Sequence, residues 1–134
     1  MTAIRPKALD HIVLRAADMD AMIAFYRDGL GCNMERELPD LGLVQMRAGA
    51  ALIDLVSVDG ELGRQGGAPP GTGGRNLDHF CLTLEAFDDA AIRAQLTKHG
   101  VEASKTAERY GAGGFGQSLY ISDPEGNGIE LKAP

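Results

Sequence analysis

The chain has 134 residues, 44% of them hydrophobic, and a formal net charge of -6, a size that fits one domain or two small interlocked units. Its Lys and Arg residues do not cluster, so it lacks both the basic stripe that nucleic acid demands and the cationic patch that holds anionic lipid. Its apolar runs are strand-sized and too short to cross a bilayer. The polar stretch Met1 to Lys7 has no apolar signal region, and two cysteines, Cys32 and Cys81, make no disulfide framework, so a reducing cytoplasm is the expected setting.

Residues 9–14 read Leu-Asp-His-Ile-Val-Leu and residues 77–82 read Leu-Asp-His-Phe-Cys-Leu, an offset of 68 positions (79 − 11). Repetition on that scale means one supersecondary unit used twice. After the first string comes a helical stretch from Asp18 to Asp28, with Asp18 as its cap and Met22, Ile23, Tyr26 and Leu30 as its apolar stripe. Gly29 and Gly31 can end it in a left-handed conformation. Strand-like runs follow at 42–46 and 50–58. A Gly/Pro-rich linker, 59–75, is either a flexible connector or a loop covering a site.

After the second string comes a helix of about 87–99, with a stripe of Phe87, Ala91, Ile92 and Leu96. Strands are predicted at 101–103, 118–122 and 128–132, and Ala112 to Gly116 is a second candidate for a mobile loop. Asp123-Pro124-Glu125-Gly126 suits a type I turn, which makes the end of the chain a hairpin. The modules therefore run over about 7–58 and 76–134.

Alternation along a strand puts His11 on one face with Leu9 and Val13, and His79 with Leu77 and Cys81. Apolar residues on both faces predict that each histidine is at least partly enclosed. A lone histidine there is best read as a core residue bonded to a carbonyl. Two at the same place in two repeats converge if the modules pair about a pseudo-twofold axis, which is how a metal site is assembled. Glu130, between Ile129 and Leu131, is either a solvated carboxylate or one turned onto an enclosed face, where it needs a partner or a metal. Asp54, between Ile53 and Leu55, stands at the matching place of the first module as a fourth ligand, a base or a surface carboxylate. Cys81 is a reactive thiol or, more simply, a core cysteine.

The strings Leu-Asp-His-Ile-Val-Leu, Phe25-Tyr26, Leu30-Gly31 and Leu-Tyr-Ile-Ser-Asp-Pro-Glu-Gly-Asn-Gly-Ile-Glu-Leu resemble the vicinal oxygen chelate superfamily. That group holds glyoxalase I, extradiol dioxygenases, fosfomycin-resistance enzymes, methylmalonyl-CoA epimerase and bleomycin-binding proteins. The resemblance implies an α+β fold, two paired βαβββ modules whose strands form a curled mixed sheet around a metal pocket. It implies a divalent metal ion (Ni, Zn, Mn or Fe) on His11, His79 and Glu130, a further ligand often supplied at the Asp54 position, and a homodimer whose site draws on both chains.

The chemistry common to that group is chelation of two adjacent oxygens of a small-molecule substrate. A glyoxalase-type lyase or isomerase, similar to lactoylglutathione lyase, would use Glu130 or Asp54 to shuttle a proton. Arg109 would anchor the substrate or is simply a solvated loop arginine. Tyr120, ten residues before Glu130 (130 − 120), matches the extradiol signature and would line the pocket, but the histidine expected upstream is replaced by Gly111 to Gly114. A non-catalytic antibiotic-binding or resistance protein is the alternative from another class, and retention of three ligand-type residues speaks against it.

Overall fold

The computed structural model describes residues 3–134; Met1 and Thr2, the start of the polar leader stretch, lie outside the described residues. In chain order the elements are β1 (His11–Ala16), α1 (Met19–Ala24), β2 (Asn33–Leu38), β3 (Leu43–Ala48), β4 (Ala51–Ser57), β5 (His79–Thr83), α2 (Asp89–Lys98), β6 (Ala107–Gly111), β7 (Gly114–Ser122) and β8 (Gly128–Lys132). The strands divide into two four-stranded sheets of the same plan, β1-β4-β3-β2 and β5-β8-β7-β6. In each, the first and last strands of the module pair in parallel and the rest are antiparallel. This is the expected α+β architecture of two βαβββ modules, in two sheets rather than one continuous sheet.

The repeat extends to the caps. Asp18 accepts from the Ala21 amide at 3.0 Å and Asp88 from the Ala91 amide at 3.1 Å, each satisfying an otherwise orphaned helix donor. α1 runs on into a single π-helical turn, Phe25–Gly29, and Gly31 takes a positive φ of 77° just beyond it. Met22 and Tyr26 of the predicted stripe are fully buried, as is Leu96 of α2, whereas Ala91 is exposed.

One hydrophobic cluster joins both modules: Leu14, Ile53 and Leu55 from the first sheet, Leu119, Ile129 and Leu131 from the second, and Met22, Tyr26 and Leu96 from the helices. Burying each such side chain stabilises the fold by roughly 1.5–3 kcal/mol. The modules are also pinned by polar contacts. The Tyr26 hydroxyl donates to Asp123 at 2.7 Å inside the core, and Gln95 donates to the Gly29 carbonyl at 2.9 Å. Burial beside the Asp123 carboxylate pushes the Tyr26 phenol strongly upward, so it stays a donor.

Three local expectations are corrected. Residues 101–103 form no strand. They lie in an irregular segment whose Val101 and Ala103 pack on the core and whose Ser104 is fastened to Tyr120 by backbone and side-chain bonds. The strand of that part of the chain is β6, further on. The first module contains β2, Asn-Met-Glu-Arg-Glu-Leu, which has little apolar signal because it is an exposed edge strand. The glycine-rich 112–116 is no loose loop but the β6–β7 hairpin, with Gly114 at φ 94°. The turn at 123–126 forms as expected, with the Gly126 amide donating to the Asp123 carbonyl at 2.9 Å.

Candidate functional site

Core residues occupy one face of each sheet, so alternation puts the polar candidates on the other, outward face. In the first sheet His11, Val13 and Arg15 of β1 lie beside Leu52, Asp54 and Val56 of β4. In the second, His79 and Cys81 of β5 lie beside Gly128 and Glu130 of β8, with Tyr120 of β7 across from Glu130. Both histidines are more exposed than the sequence suggested, with side chains 48% and 38% accessible. Each is the first residue of its strand; Ile12 and Phe80 turn to the core, while Leu9 and Val13 on the face of His11 are themselves exposed.

Both imidazoles are oriented by the aspartate just before them. His11 Nδ1 is 2.7 Å from Asp10 and His79 Nδ1 is 2.6 Å from Asp78. A carboxylate on one ring nitrogen fixes the tautomer and leaves Nε2 as the free donor, the arrangement that readies a histidine for a metal. Asp10, with Asp54 adding to it, raises the His11 pKa, and His79 holds the Asp78 carboxyl below its usual range. Sequence reasoning gave these aspartates no role, although the doubled Leu-Asp-His string was the signal.

In the second sheet His79 Nε2 lies 3.6 Å from Glu130 Oε1, and Tyr120 donates to the same oxygen at 3.1 Å while its ring meets the His79 ring edge-on. Glu130 is 6% exposed and its other oxygen, Oε2, is buried with no partner. An enclosed carboxylate oxygen left over beside a free imidazole nitrogen is a donor set that suits a divalent cation. Partial desolvation, then the Glu130 bond, raises the Tyr120 phenol; desolvation, then the Glu130 charge, raises the Cys81 thiol, with Lys132 pulling the other way. Arg109 is half-buried, donating to the Ser118 carbonyl at 2.8 Å and hydroxyl at 3.0 Å and lying 4.7 Å over the Tyr120 ring. It is not a solvated loop arginine.

The first sheet has the same plan with other contents. Asp54 takes the register place of Glu130, and Gln45, which sequence reasoning missed, takes that of Tyr120. The Gln45 amide donates to both Asp54 oxygens, at 3.1 and 3.2 Å. The linker folds over this face. Arg15 donates to the Gly67 carbonyl at 2.6 Å, Asn76 donates to the Arg15 carbonyl at 2.9 Å, and a hollow of about 690 Å³ opens between Val13, Arg15, Pro69 and Arg75. A wider groove of about 940 Å³, lined by Phe25, Asp28, His99, Tyr120 and Asp123, contains neither His11 nor His79.

The structure thus brings His79 to Glu130 in one sheet and sets His11 near Asp54 in the other. Among the described residues of the single chain, no three His, Cys, Asp or Glu side chains are gathered closely enough to hold a metal ion.

The Glyoxalase/Bleomycin resistance protein/Dioxygenase superfamily profile matches residues 8–131, and the chain belongs to that superfamily. Among solved structures it is similar to a virulence protein from Salmonella typhimurium, at 26% identity and a TM-score of 0.79 over 97% of this chain and 98% of that one. It is also similar to a lactoylglutathione lyase from Agrobacterium tumefaciens, at 25% identity and a TM-score of 0.68 over 96% and 94%. An antibiotic binding protein from a Streptomyces species shares the fold, at 21% identity and a TM-score of 0.70 over 100% and 99%. No curated protein sequence matches the chain.

Proposed function

We propose that the protein is a divalent-metal-dependent lyase or isomerase of glyoxalase type, acting on a small substrate with adjacent oxygens. His11, His79 and Glu130 hold the metal between two copies of the chain. The observation that carries this reading is the doubled Asp–His pair, each histidine oriented by its own carboxylate with Nε2 left free. The half-sets lie on separate sheets, the second with its outward face open and the first covered by the linker only at Val13 and Arg15, so a second copy supplies His11 and Asp54 opposite the first copy's His79 and Glu130. Exposed apolar side chains, Leu9 and Val13 in one module and Tyr110 and Phe115 in the other, provide surface for that pairing.

The bound ion (Ni, Zn, Mn or Fe) would act as a Lewis acid toward the two substrate oxygens. Glu130 moves the proton, since one of its oxygens is buried and unshared while the other is steadied by Tyr120. Asp54, tied on both oxygens by Gln45, is the less available carboxylate. Tyr120 and Arg109 line the pocket, Tyr120 donating a hydrogen bond to Glu130 or to substrate. Two free cysteines, one buried, suit a reducing cytoplasm, and no helix of the described residues is long and apolar enough to cross a membrane.

The second reading is a non-catalytic small-molecule binder, favoured by the absence of a three-ligand cluster within the described chain. Elemental analysis of protein purified without chelator or nickel resin separates the two. The enzyme reading expects about one ion per chain, lost in His79→Ala and in His11→Ala, together with conversion of a hemithioacetal to a thioester. Unchanged metal content in both variants sinks the ligand set. Wild-type protein that takes up no divalent ion favours the binder.

A further inference from the structure

The second sheet's outward face carries a feature that the metal site does not use. Lys132 lies two residues beyond Glu130 on β8 and is only 5% exposed. Among the described residues its ammonium has no hydrogen bond and no carboxylate within ion-pair distance. The covered part is the apolar stem, and the unpaired ammonium at its tip stays reachable from solvent, free to meet an incoming anion. Space for the side chain is built in. A Cβ on Gly116 would stand 3.1 Å from Lys132 Nζ, and one on Gly111 would stand 3.3 Å from its Cε.

Two further donors converge there. Ser118 is the cross-strand partner of Lys132 and is fully buried, and Arg109 pairs with Gly116. Arg109 spends only Nη1, on Ser118, and steadies its plane against Tyr120. Its Nε and Nη2 donate to nothing among the described residues. A guanidinium held flat with free donors, beside an unpaired ammonium, presents the geometry that oxyanions select.

We propose that Lys132 and Arg109, flanking Ser118, form a binding site for one oxyanion, a carboxylate, phosphate or phosphonate, carried by the substrate. Lys132 and Glu130 stand two residues apart on one face of β8, so the anionic group lies on the same face as the oxygens that meet Glu130 and His79. The site therefore selects small acids over neutral ketones or aldehydes. This inference rests on the reading of the second sheet as the substrate face, but it can fail or stand independently of the metal.

The test is titration calorimetry on full-length, chelator-treated protein at low salt, with methylphosphonate and with acetate as probes. Saturable binding of either is expected, and the preferred probe identifies the anion class. Lys132→Met should weaken it about tenfold or more and Arg109→Gln severalfold, as loss of charge-assisted hydrogen bonds requires. His79→Ala should leave it within about twofold. Absence of saturable binding of both probes to the wild type overturns the proposal, as does wild-type affinity in Lys132→Met. If Lys132→Met fails to give a cooperative melt, Arg109→Gln decides alone, and unchanged affinity there overturns it. A Lys132→Met protein that changes oligomeric state with anion affinity intact makes Lys132 an interface cation and also overturns it. Metal loss in His79→Ala with anion binding kept separates this site from the proposed ligand set.

Discussion

In the first sheet Asp54 faces Gln45 across the strands; at the same register in the second sheet Glu130 faces Tyr120. One step along, Val56 and Leu43 in the first sheet are replaced by Lys132 and Ser118 in the second. Both modules keep the oriented histidine. Among the described residues only the second sets an unshared carboxylate oxygen, a phenol and an unpaired ammonium on its outward face. A repeated scaffold thus fixes where a ligand can stand, while substitutions on the outward face decide what else can be done there. The first module contributes a histidine and a cover, and the second contributes the chemistry.

The largest expected effect strikes the tie between the modules. Asp123 accepts from the Tyr26 hydroxyl, from the Asn127 side chain at 2.8 Å and from the Glu125 and Asn127 amides at 2.9 Å. Asp123→Ala leaves these donors unmatched, at a cost of about 3–5 kcal/mol and a melting temperature lowered by about 10 °C or more. Ala50→Ser, in the matching β3–β4 turn of the first module, should change stability by under about 0.5 kcal/mol. Equal losses measured by calorimetry would mean that the tie does not matter.

Next comes the carboxylate pair. Glu130→Gln should weaken metal binding by about a hundredfold, whereas Asp54→Asn, whose carboxylate is already engaged by Gln45, should change it by less than about threefold. Competition with a fluorescent chelator reads both, and the reverse ranking would exchange the roles of the modules. Tyr120→Phe removes the donor to Glu130 and should lower turnover of hemithioacetal roughly tenfold with metal content unchanged. Gln45→Leu, at the equivalent place, should leave turnover within about threefold.

The smallest effect is pH-dependent and confined to α2. Asp89, bonded first by Thr106 and then by Arg93, has its carboxyl held below the usual 3.8. A folded value below the unfolded one adds stability that is present above about pH 4 and lost as pH falls through the folded value. Asp89→Asn should therefore melt slightly lower than wild type at neutral pH, with the two curves converging as the pH falls through that folded value. Among the described residues Asp20 of α1 makes no such bond, and Asp20→Asn should leave the melting temperature at neutral pH unchanged.

How much of this was legible in the sequence follows from what each residue faces. The repeat, both helices, the core strands and the 123–126 turn were legible because burial imposes periodicity on Leu14, Met22, Ile53, Leu119 and Ile129. The polar strands β2 and β6 were not, since β2 is exposed almost throughout and β6 half-buries only Arg109 and Gly111, so neither carries an apolar alternation. Residues 101–103 misled because a short apolar run packs equally well as coil. At the candidate site, His11, His79, Glu130, Asp54, Tyr120 and Arg109 were all named from the sequence. Gln45 and Lys132 were missed because their meaning depends on cross-strand register, which pairs Gln45 with Asp54 and brings Lys132 beside two glycines.

The adjacency of each aspartate to its histidine has one more consequence. The carboxylate that orients each imidazole is the residue just before it, at the start of a strand. A duplicated copy of the module therefore carries its ligand ready aimed, with no distant contact to rebuild. Such a unit can be doubled in tandem, or exchanged between chains, and still present a usable imidazole, while drift elsewhere on its outward face is free to alter the reaction. Evolution could change the loop joining the copies or the oligomer in which they meet without losing the ligand itself.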